Sequence, residues 1–273
     1  MTDAADFQTL FETAICLNNI AVSLQDKERY LLAHHTLKDA MACMQLILRP
    51  DQYHGWPSKM EMAYKINMAT ERLRLVEEQI GTVQVVSIGY QCDLQYLVVG
   101  NGPEGLPLTR PIPITFGQSD QMGIDINSSI IVFNFGLTYL GLAAHNFPSN
   151  RRILYEAAVE LFYLSYSILV KLSVETQQLD FCEYILVLSM KILRQTISVD
   201  LASGKDVAPL EKLLQNAEDS FSVLNRIGEG TVAAAAWATR PINAVLCVNV
   251  CRASPTRGSF MRGHPCSRSI KTR

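Results

Sequence analysis

The stretches NNIAVSL (residues 18–24) and FNFGLTY (residues 133–139) resemble each other at an offset of 115 residues. This offset places Asn19 on Asn134 and the small residue Ala21 on Gly136. Both stretches carry apolar side chains at the three- and four-residue spacing of a helix with one buried face. The chain therefore contains two related helical segments, and the fold depends on the segment that comes after each of them.

A second pair of related segments follows the first. YLLAHHTLKDAM at 30–41 matches YEAAVELFYLSY at 155–166, at an offset of 125 residues. In each unit a polar break separates two helical patterns, which predicts an antiparallel helical hairpin. A third copy at 179–226 is fainter and keeps only part of the spacing of the second helix, at Ala217, Phe221 and Leu224. The predicted fold class is mainly α, built from antiparallel helical hairpins.

The residues of these units resemble the tetratricopeptide repeat. An aromatic residue opens the second helix, and small, large and small residues follow three, seven and ten positions later. These residues are Tyr30, Ala33, Leu37 and Ala40 in the first unit and Tyr155, Ala158, Phe162 and Ser165 in the second. In that family the small residues let two helices approach closely, and the large residue fills the groove between them.

The match covers roughly half of the chain and departs from the family in three ways. The usual Trp is absent, Glu28 replaces the glycine of the turn, and about 80 residues separate the first two units. The resemblance therefore implies helical hairpins without implying a regular superhelix. The alternative is an all-helical domain whose hairpins merely share this packing spacing.

Residues 58–80 predict a further helix. Ser58-x-x-Glu61 forms a capping box at its start. Its apolar residues then recur at alternating steps of four and three: Met62, Ile66, Ala69, Leu73, Val76 and Ile80. Such a seam packs along another helix, and we expect it to pack on the body of the protein. Weak self-association through the 62–80 helix is the alternative.

Residues 81–127 predict a small β-hairpin or extended insertion, because TVQVVSI and LQYLVV are β-branched and aromatic runs bounded by glycines. Three of the glycines, Gly100, Gly102 and Gly105, match the G-x-G-x-x-G pattern of dinucleotide-binding proteins. That pattern needs a helix directly after it to bind a pyrophosphate, and the following prolines prevent one. We interpret the glycines as turn residues.

Charge is distributed unevenly along the chain. Residues 231–273 carry seven basic and no acidic side chains, which leaves 17 basic and 26 acidic residues in 1–230. An acidic body has no electrostatic attraction to phosphates, so no nucleic-acid partner is expected for residues 1–230. The sequence of 231–273 lacks periodicity and predicts a disordered basic tail.

The N-terminal residues lack the basic and apolar segments of a targeting signal. The apolar stretch around residue 245 is interrupted by Arg240 and Pro241, which disfavours a membrane span. Cys16, Cys43 and Cys182 lie in apolar helical patterns, where reduced cysteine acts as a small hydrophobic residue. We predict an intracellular protein, cytoplasmic or nuclear, with no membrane partner.

No catalytic residues, cofactor or metal are predicted. His34 and His35 are adjacent on a helix and point about 100° apart, so they cannot bind one ion from the same face. A second group has ligand types suited to zinc, but its spacing is unfamiliar and it falls in the predicted tail: Cys247, Cys251, His264 and Cys266. No G-x-S-x-G motif occurs. The sequence therefore predicts a protein without catalysis of its own.

The resemblance implies a binding site. In tetratricopeptide proteins the first helices of the hairpins line a concave groove that holds an extended peptide or a helix. Carried over by the match, the groove-facing residues are Asn18, Asn19, Val22 and Gln25 in the first unit and Phe133, Asn134 and Leu137 in the second. The amides of Asn19 and Asn134 can donate and accept hydrogen bonds, so they can clamp a peptide backbone. A structural hydrogen bond to a neighbouring helix or turn is an equal alternative for each.

The sequence thus predicts an interaction module, a scaffold or adaptor that binds a protein or peptide segment in a largely apolar groove. The alternative is an orphan helical enzyme or small-ligand carrier with a pocket near the insertion at 81–116. A buried polar pocket with a titratable residue of shifted pKa favours the alternative, and an open apolar groove favours binding.

Overall fold

The computed structural model describes residues 5–49, 57–80, 99–101, 107–114, 121–145, 150–175 and 179–228. Within these residues lie seven helices and two short antiparallel strands. The helices are α1 (Phe7–Asp26), α2 (Tyr30–Leu48), α3 (Lys59–Ile80), α4 (Gln121–His145), α5 (Arg151–Glu175), α6 (Leu179–Ala202) and α7 (Ala208–Gly228), and the strands are β1 (Val99–Asn101) and β2 (Pro107–Thr109). The predicted mainly helical fold class is confirmed. The tail predicted at 231–273 lies outside the described residues.

Helices that are neighbours in sequence pack in pairs. α1 packs along α2, α4 along α5 and α6 along α7, and contacts of α2 with α4 and of α5 with α6 join the pairs. Asp6 caps α1, because its side chain accepts a hydrogen bond from the Thr9 backbone N–H at 2.8 Å. A main core cluster runs through the helices from Leu10 in α1 to Leu213 in α7. The helix pairs therefore share one hydrophobic core.

The small and large positions that define the two related hairpins are fully buried. Ala33, Leu37, Ala40, Ala158, Phe162 and Ser165 all have an exposed fraction of 0%. Close approach of α4 and α5 explains the small residues: a Cβ added to Gly136 would lie 2.5 Å from Phe162 Cε1. Ser165 Oγ donates to the Ser129 backbone oxygen at 2.8 Å, and Ser129 Oγ donates to the Ser165 backbone oxygen at 3.1 Å. These reciprocal bonds need the two backbones to be close.

Helix α4 begins earlier than the sequence predicts. The extended insertion was expected over 81–127, but residues 121–127 are helical, so this part of the prediction is wrong. Ile124 and Ile126 suggest the alternation of a strand, yet Asp125 and Asn127 between and after them are buried as well. Burial on several sides removes the polar face that marks a helix, and tertiary packing overrides the local pattern. Residues 81–98, 102–106 and 115–120 of the insertion lie outside the described part.

Helix α1 ends in a turn that places Glu28 in the left-handed region, with φ of 57°. The Glu28 N–H donates to the Gln25 oxygen at 2.8 Å, and the Arg29 N–H donates to the Leu24 oxygen at 2.9 Å. These are the two bonds of a Schellman cap, in which glycine is the usual residue at the position of Glu28. The equivalent residue after α6 is Gly204, with φ of 71°.

We expect Glu28→Gly to stabilise the protein by up to about 1 kcal/mol, because the left-handed region costs other residues roughly 1–2 kcal/mol and the greater entropy of unfolded glycine offsets part of that gain. Gly204→Glu is the matched control and should lower the free energy of unfolding by a similar amount. Urea unfolding followed by circular dichroism measures both. Unchanged midpoints in the two variants would contradict the account of this cap.

The seam of α3 faces the body of the protein. Met62, Ala69 and Val76 are buried, and α3 packs on α1 and α2. Met62 Sδ lies 3.8 Å from Cys43 Sγ of α2. The seam is thus covered by the chain itself, in agreement with the predicted packing.

Two helical stretches, Gly123–His145 and Arg151–Ser173, are long and apolar enough to cross a membrane by length and composition. Core helices of soluble proteins meet the same criterion, and the first stretch is mostly buried inside the protein. This is weak evidence for a membrane location, and the intracellular location stays a prediction.

Candidate functional site

An extended segment of the chain is held by side chains of α1 and α4. We call residues 110–114, with the sequence RPIPI, the docked segment. The Ile112 N–H donates to Asn134 Oδ1 at 2.8 Å, and Asn134 Nδ2 donates to the Ile112 carbonyl oxygen at 2.7 Å. Asn18 Nδ2 approaches the same carbonyl oxygen at 3.3 Å. The side chain of Asn134 therefore satisfies both backbone groups of Ile112.

Asn19 binds the docked segment in the same way two residues further on. The Ile114 N–H donates to Asn19 Oδ1 at 2.7 Å, and Asn19 Nδ2 donates to the Ile114 carbonyl oxygen at 2.8 Å. Asn19 and Asn134 are also the pair that the internal repeat aligns. Each related helix thus contributes one amide, and each amide holds one residue of the segment. We call these two side chains the amide clamp.

The two prolines of the docked segment remove backbone donors that would face away from the clamp. In an extended chain the N–H and C=O groups of alternate residues point to the same side. Ile112 and Ile114 direct theirs toward the amide clamp, so residues 111 and 113 direct theirs to the other side. Both are half-buried prolines, which have no N–H to leave unsatisfied. The sequence of the segment therefore suits the one-sided way in which it is bound.

A buried hydrogen-bond network fixes the orientation of the clamp. Asn134 and Asn18 have an exposed fraction of 0%, and Asn134 Nδ2 donates to Asn18 Oδ1 at 2.9 Å. Gln25 Nε2 donates to the Asn134 backbone oxygen at 2.7 Å and also to Thr138 Oγ1. The network joins α1 to α4, and it keeps the donor and acceptor sides of the Asn134 amide in place.

The first residue of the docked segment, Arg110, is exposed, as is Asp26 at the end of α1. Desolvation raises the pKa of Asp26, and the positive charge of Arg110 opposes that shift. The two opposite charges therefore attract each other weakly at the surface.

The other predicted site residues are also buried, with exposed fractions of 6% for Val22, 5% for Gln25, 0% for Phe133 and 5% for Leu137. Gln25 belongs to the network behind the clamp. The Phe133 ring packs against Phe162 of α5, with the ring centroids 5.4 Å apart, so Phe133 supports the α4–α5 pair. Val22 lies one helical turn after Asn18 and shares its face.

The structure adds one feature that was not predicted: the chain itself occupies the groove. Side-chain amides bond the backbone of the segment, while Ile114 joins the main core cluster and Ile112 packs against it. Ile112 and Ile114, the residues that the amides bind, were not predicted as site residues. The alternation of proline and isoleucine at 111–114 was the available indication.

The His, Cys, Asp and Glu side chains of the described residues are not grouped for metal binding. Among the described residues no three His, Cys, Asp or Glu side chains form a group that could hold a metal ion. His34 packs against Phe135 and Tyr139, and its Nε2 lies 3.4 Å from the Tyr139 hydroxyl. Burial lowers the pKa of His34, which disfavours the charged form of the ring. The four Cys and His residues between 247 and 266 lie outside the described part of the chain.

Lys191 of α6 is a buried basic residue. It is 4% exposed, and its Nζ lies 6.0 Å from the centroid of the Phe133 ring. Burial lowers the pKa of Lys191 from 10.5 to about 8. The folded protein therefore disfavours the charged form of this side chain.

Lys191 should make stability depend on pH. Because its pKa is lower in the folded state, the unfolded chain binds more protons above pH 8, so the free energy of unfolding rises with pH, by about 1 kcal/mol at pH 9. Lys191→Met should abolish this rise and stabilise the protein at pH 7. Thermal unfolding between pH 7 and 9 measures the free energy of unfolding of both proteins. The contributions of the other titratable groups cancel in the difference between the two. Parallel curves for the two proteins would argue against the buried charge.

Comparisons of the chain with protein-family models, with curated proteins and with solved structures give no match.

Proposed function

We propose that this protein is an intracellular interaction module that binds an extended segment of another protein between α1 and α4. The observation that carries the proposal is the amide clamp. Asn19 and Asn134 bind the N–H and C=O groups of alternate residues, which is how a groove can hold an extended peptide through its backbone. The hydrogen bonds to the backbone supply affinity, and pockets for alternate side chains supply specificity.

Two further points support binding over catalysis. α1 and α4 open the two related hairpins and contact each other, in line with the tetratricopeptide-like resemblance, in which first helices line the groove. The groups that meet the docked segment are side-chain amides, which neither titrate near pH 7 nor act as nucleophiles. We therefore propose a scaffold or adaptor without catalysis of its own.

The test uses the full chain with its docked segment displaced. Ile112→Asp combined with Ile114→Asp, the opened variant, removes the apolar side chains that hold the segment. The loosened variant, Pro111→Gly combined with Pro113→Gly, keeps both isoleucine side chains. It replaces the opened variant in the test if the opened variant does not fold. The ligand is a fluorescent peptide of residues 108–116, LTRPIPITF, and fluorescence anisotropy measures its binding.

We expect saturable binding by the folded variants. A control peptide with N-methyl groups on both isoleucine nitrogens cannot donate to the clamp and should bind at least about tenfold more weakly, since each hydrogen bond is worth about 1 kcal/mol. Equal binding of the two peptides, or no binding to a variant whose circular dichroism shows a folded protein, would contradict the proposed function.

A second candidate function is a small-ligand carrier, and buried Lys191 with its lowered pKa is the observation that favours it. This amine can condense with an aldehyde to a Schiff base, with loss of water, or pair in its charged form with a carboxylate. This candidate requires a small molecule that raises the melting temperature of the unmodified protein and has no effect on Lys191→Met. A screen of carboxylic acids and aldehydes by thermal shift tests it.

A further inference from the structure

We propose, building on the proposed function, that the partner carries a proline–aliphatic–proline–aliphatic segment and that residues 110–114 of this chain compete with it for the amide clamp. The docked segment thus resembles the segment of the partner, and the two bind the same site in competition.

The clamp geometry sets the positions of the prolines. A single residue lies between the two residues of the segment that bind the clamp. Its backbone N–H would point away from the clamp. Pro113 occupies that place and Pro111 the equivalent place before Ile112, and both are half-buried. Proline also restricts the free peptide to extended conformations, which lowers the entropic cost of binding. A partner with prolines at both places is favoured for both reasons.

The environment of the isoleucines sets the aliphatic positions. Ile114 is 3% exposed and belongs to the main core cluster, and Ile112 packs against that cluster from a half-buried position. A polar side chain at the place of Ile114 would be buried without a hydrogen-bond partner, which is unfavourable. The partner therefore needs a large aliphatic residue at the second position, and an aliphatic residue is favoured at the first.

The position of Arg110 allows a secondary preference for a basic residue. Arg110 and Asp26 are both exposed, and the positive charge of Arg110 opposes the rise in the pKa of Asp26. An acidic residue at this position in a partner would carry the same sign of charge as Asp26. The preference should be modest and should weaken with salt, because the pair is at the surface.

Competition follows from the connection of the docked segment to the rest of the chain. A tethered ligand acts at an effective concentration of the order of millimolar. If free and tethered segments bind the clamp equally well, with a dissociation constant of about 10–100 μM, the tethered copy weakens binding of the free one about tenfold or more. A partner must therefore bind more tightly than the docked segment, or the segment must be released.

The experiment titrates three labelled peptides into the unmodified protein and into the opened or loosened variant. The peptides are LTRPIPITF, the same peptide with alanine in place of the proline at position 113, and the same peptide with glutamate in place of the arginine at position 110. We expect LTRPIPITF to bind the variant at least about tenfold more tightly than the unmodified protein. We also expect the alanine peptide to bind the variant severalfold more weakly, and the glutamate peptide to lose affinity only at low salt.

The outcomes separate this inference from the proposed function. Binding of LTRPIPITF to the variant and to the unmodified protein with equal affinity overturns competition and leaves the proposed function standing. Equal affinity of all three peptides overturns the partner pattern. Absence of binding to the folded variant overturns the proposed function itself. Light scattering tests whether the segment of a second copy of this chain occupies the clamp. A dimeric unmodified protein together with a monomeric variant would show that it does, and would overturn the partner proposal.

Discussion

Asn134→Ala is expected to lower the free energy of unfolding by about 3 kcal/mol, because it leaves several buried polar groups without partners. The Ile112 N–H loses its acceptor, the Ile112 carbonyl oxygen loses its closest donor, and Asn18 Oδ1 loses the Asn134 amide. Asn18 is fully buried, so water cannot replace the lost bond without a rearrangement. Urea unfolding at constant pH measures the change.

Asn127→Ala is the matched control for this change. Asn127 lies on the same helix and is 5% exposed, but its Nδ2 has no hydrogen-bond partner among the described residues. Truncating it removes similar volume without breaking a bond from that nitrogen, so we expect a loss of about 1 kcal/mol or less. Equal losses in the two variants would mean that the Asn134 bonds contribute nothing beyond packing.

Gly141→Ala is expected to destabilise the protein by about 2 kcal/mol, although alanine is normally better than glycine inside a helix by up to about 1 kcal/mol. A Cβ at this position would lie 2.1 to 2.5 Å from three ring atoms of Tyr30, including Cγ. Because Cγ is near the root of the side chain, the whole ring must move. That movement would disturb the stack of Tyr30 on His145, whose ring centroids are 5.2 Å apart.

A double-mutant cycle shows whether the ring is responsible. In a Tyr30→Ala background the added methyl group meets no ring, so Gly141→Ala should be neutral or stabilising there. Thermal unfolding of the four proteins gives the coupling free energy. A destabilisation that persists without the ring would place the cause elsewhere in the contact between α2 and α4.

The helices could be predicted from the sequence because their apolar residues recur at helical spacing. The related stretches that end at residue 24 and that cover residues 30–41 lie within α1 (Phe7–Asp26) and α2 (Tyr30–Leu48). The start of α4 could not be found in this way. Its first turns are buried on several sides, so Asp125 and Asn127 occupy the interior and no periodic polar face marks the helix.

The repeat aligned Asn19 with Asn134, and the chemistry of an amide indicated either a backbone clamp for a partner or a structural hydrogen bond within the chain. In the structure both amides bond backbone groups of the chain itself, and partner binding stays a prediction. The segment that the clamp holds could not be read from periodicity, because the contact joins Asn19 to a residue 95 positions away in the chain. Contacts of that separation depend on how the helix pairs pack. The proline–isoleucine alternation only becomes informative once the clamp is known.

Hydrogen–deuterium exchange of the Ile112 and Ile114 amides, measured by NMR on the full chain, tests the amide clamp most directly. We expect both amides to exchange at least about a hundredfold more slowly than in an unstructured peptide, because opening must break several hydrogen bonds. Asn134→Ala should selectively accelerate exchange at Ile112, and Asn19→Ala should do so at Ile114. Exchange of both amides at the unstructured rate in the unmodified protein would contradict the clamp and the function proposed from it.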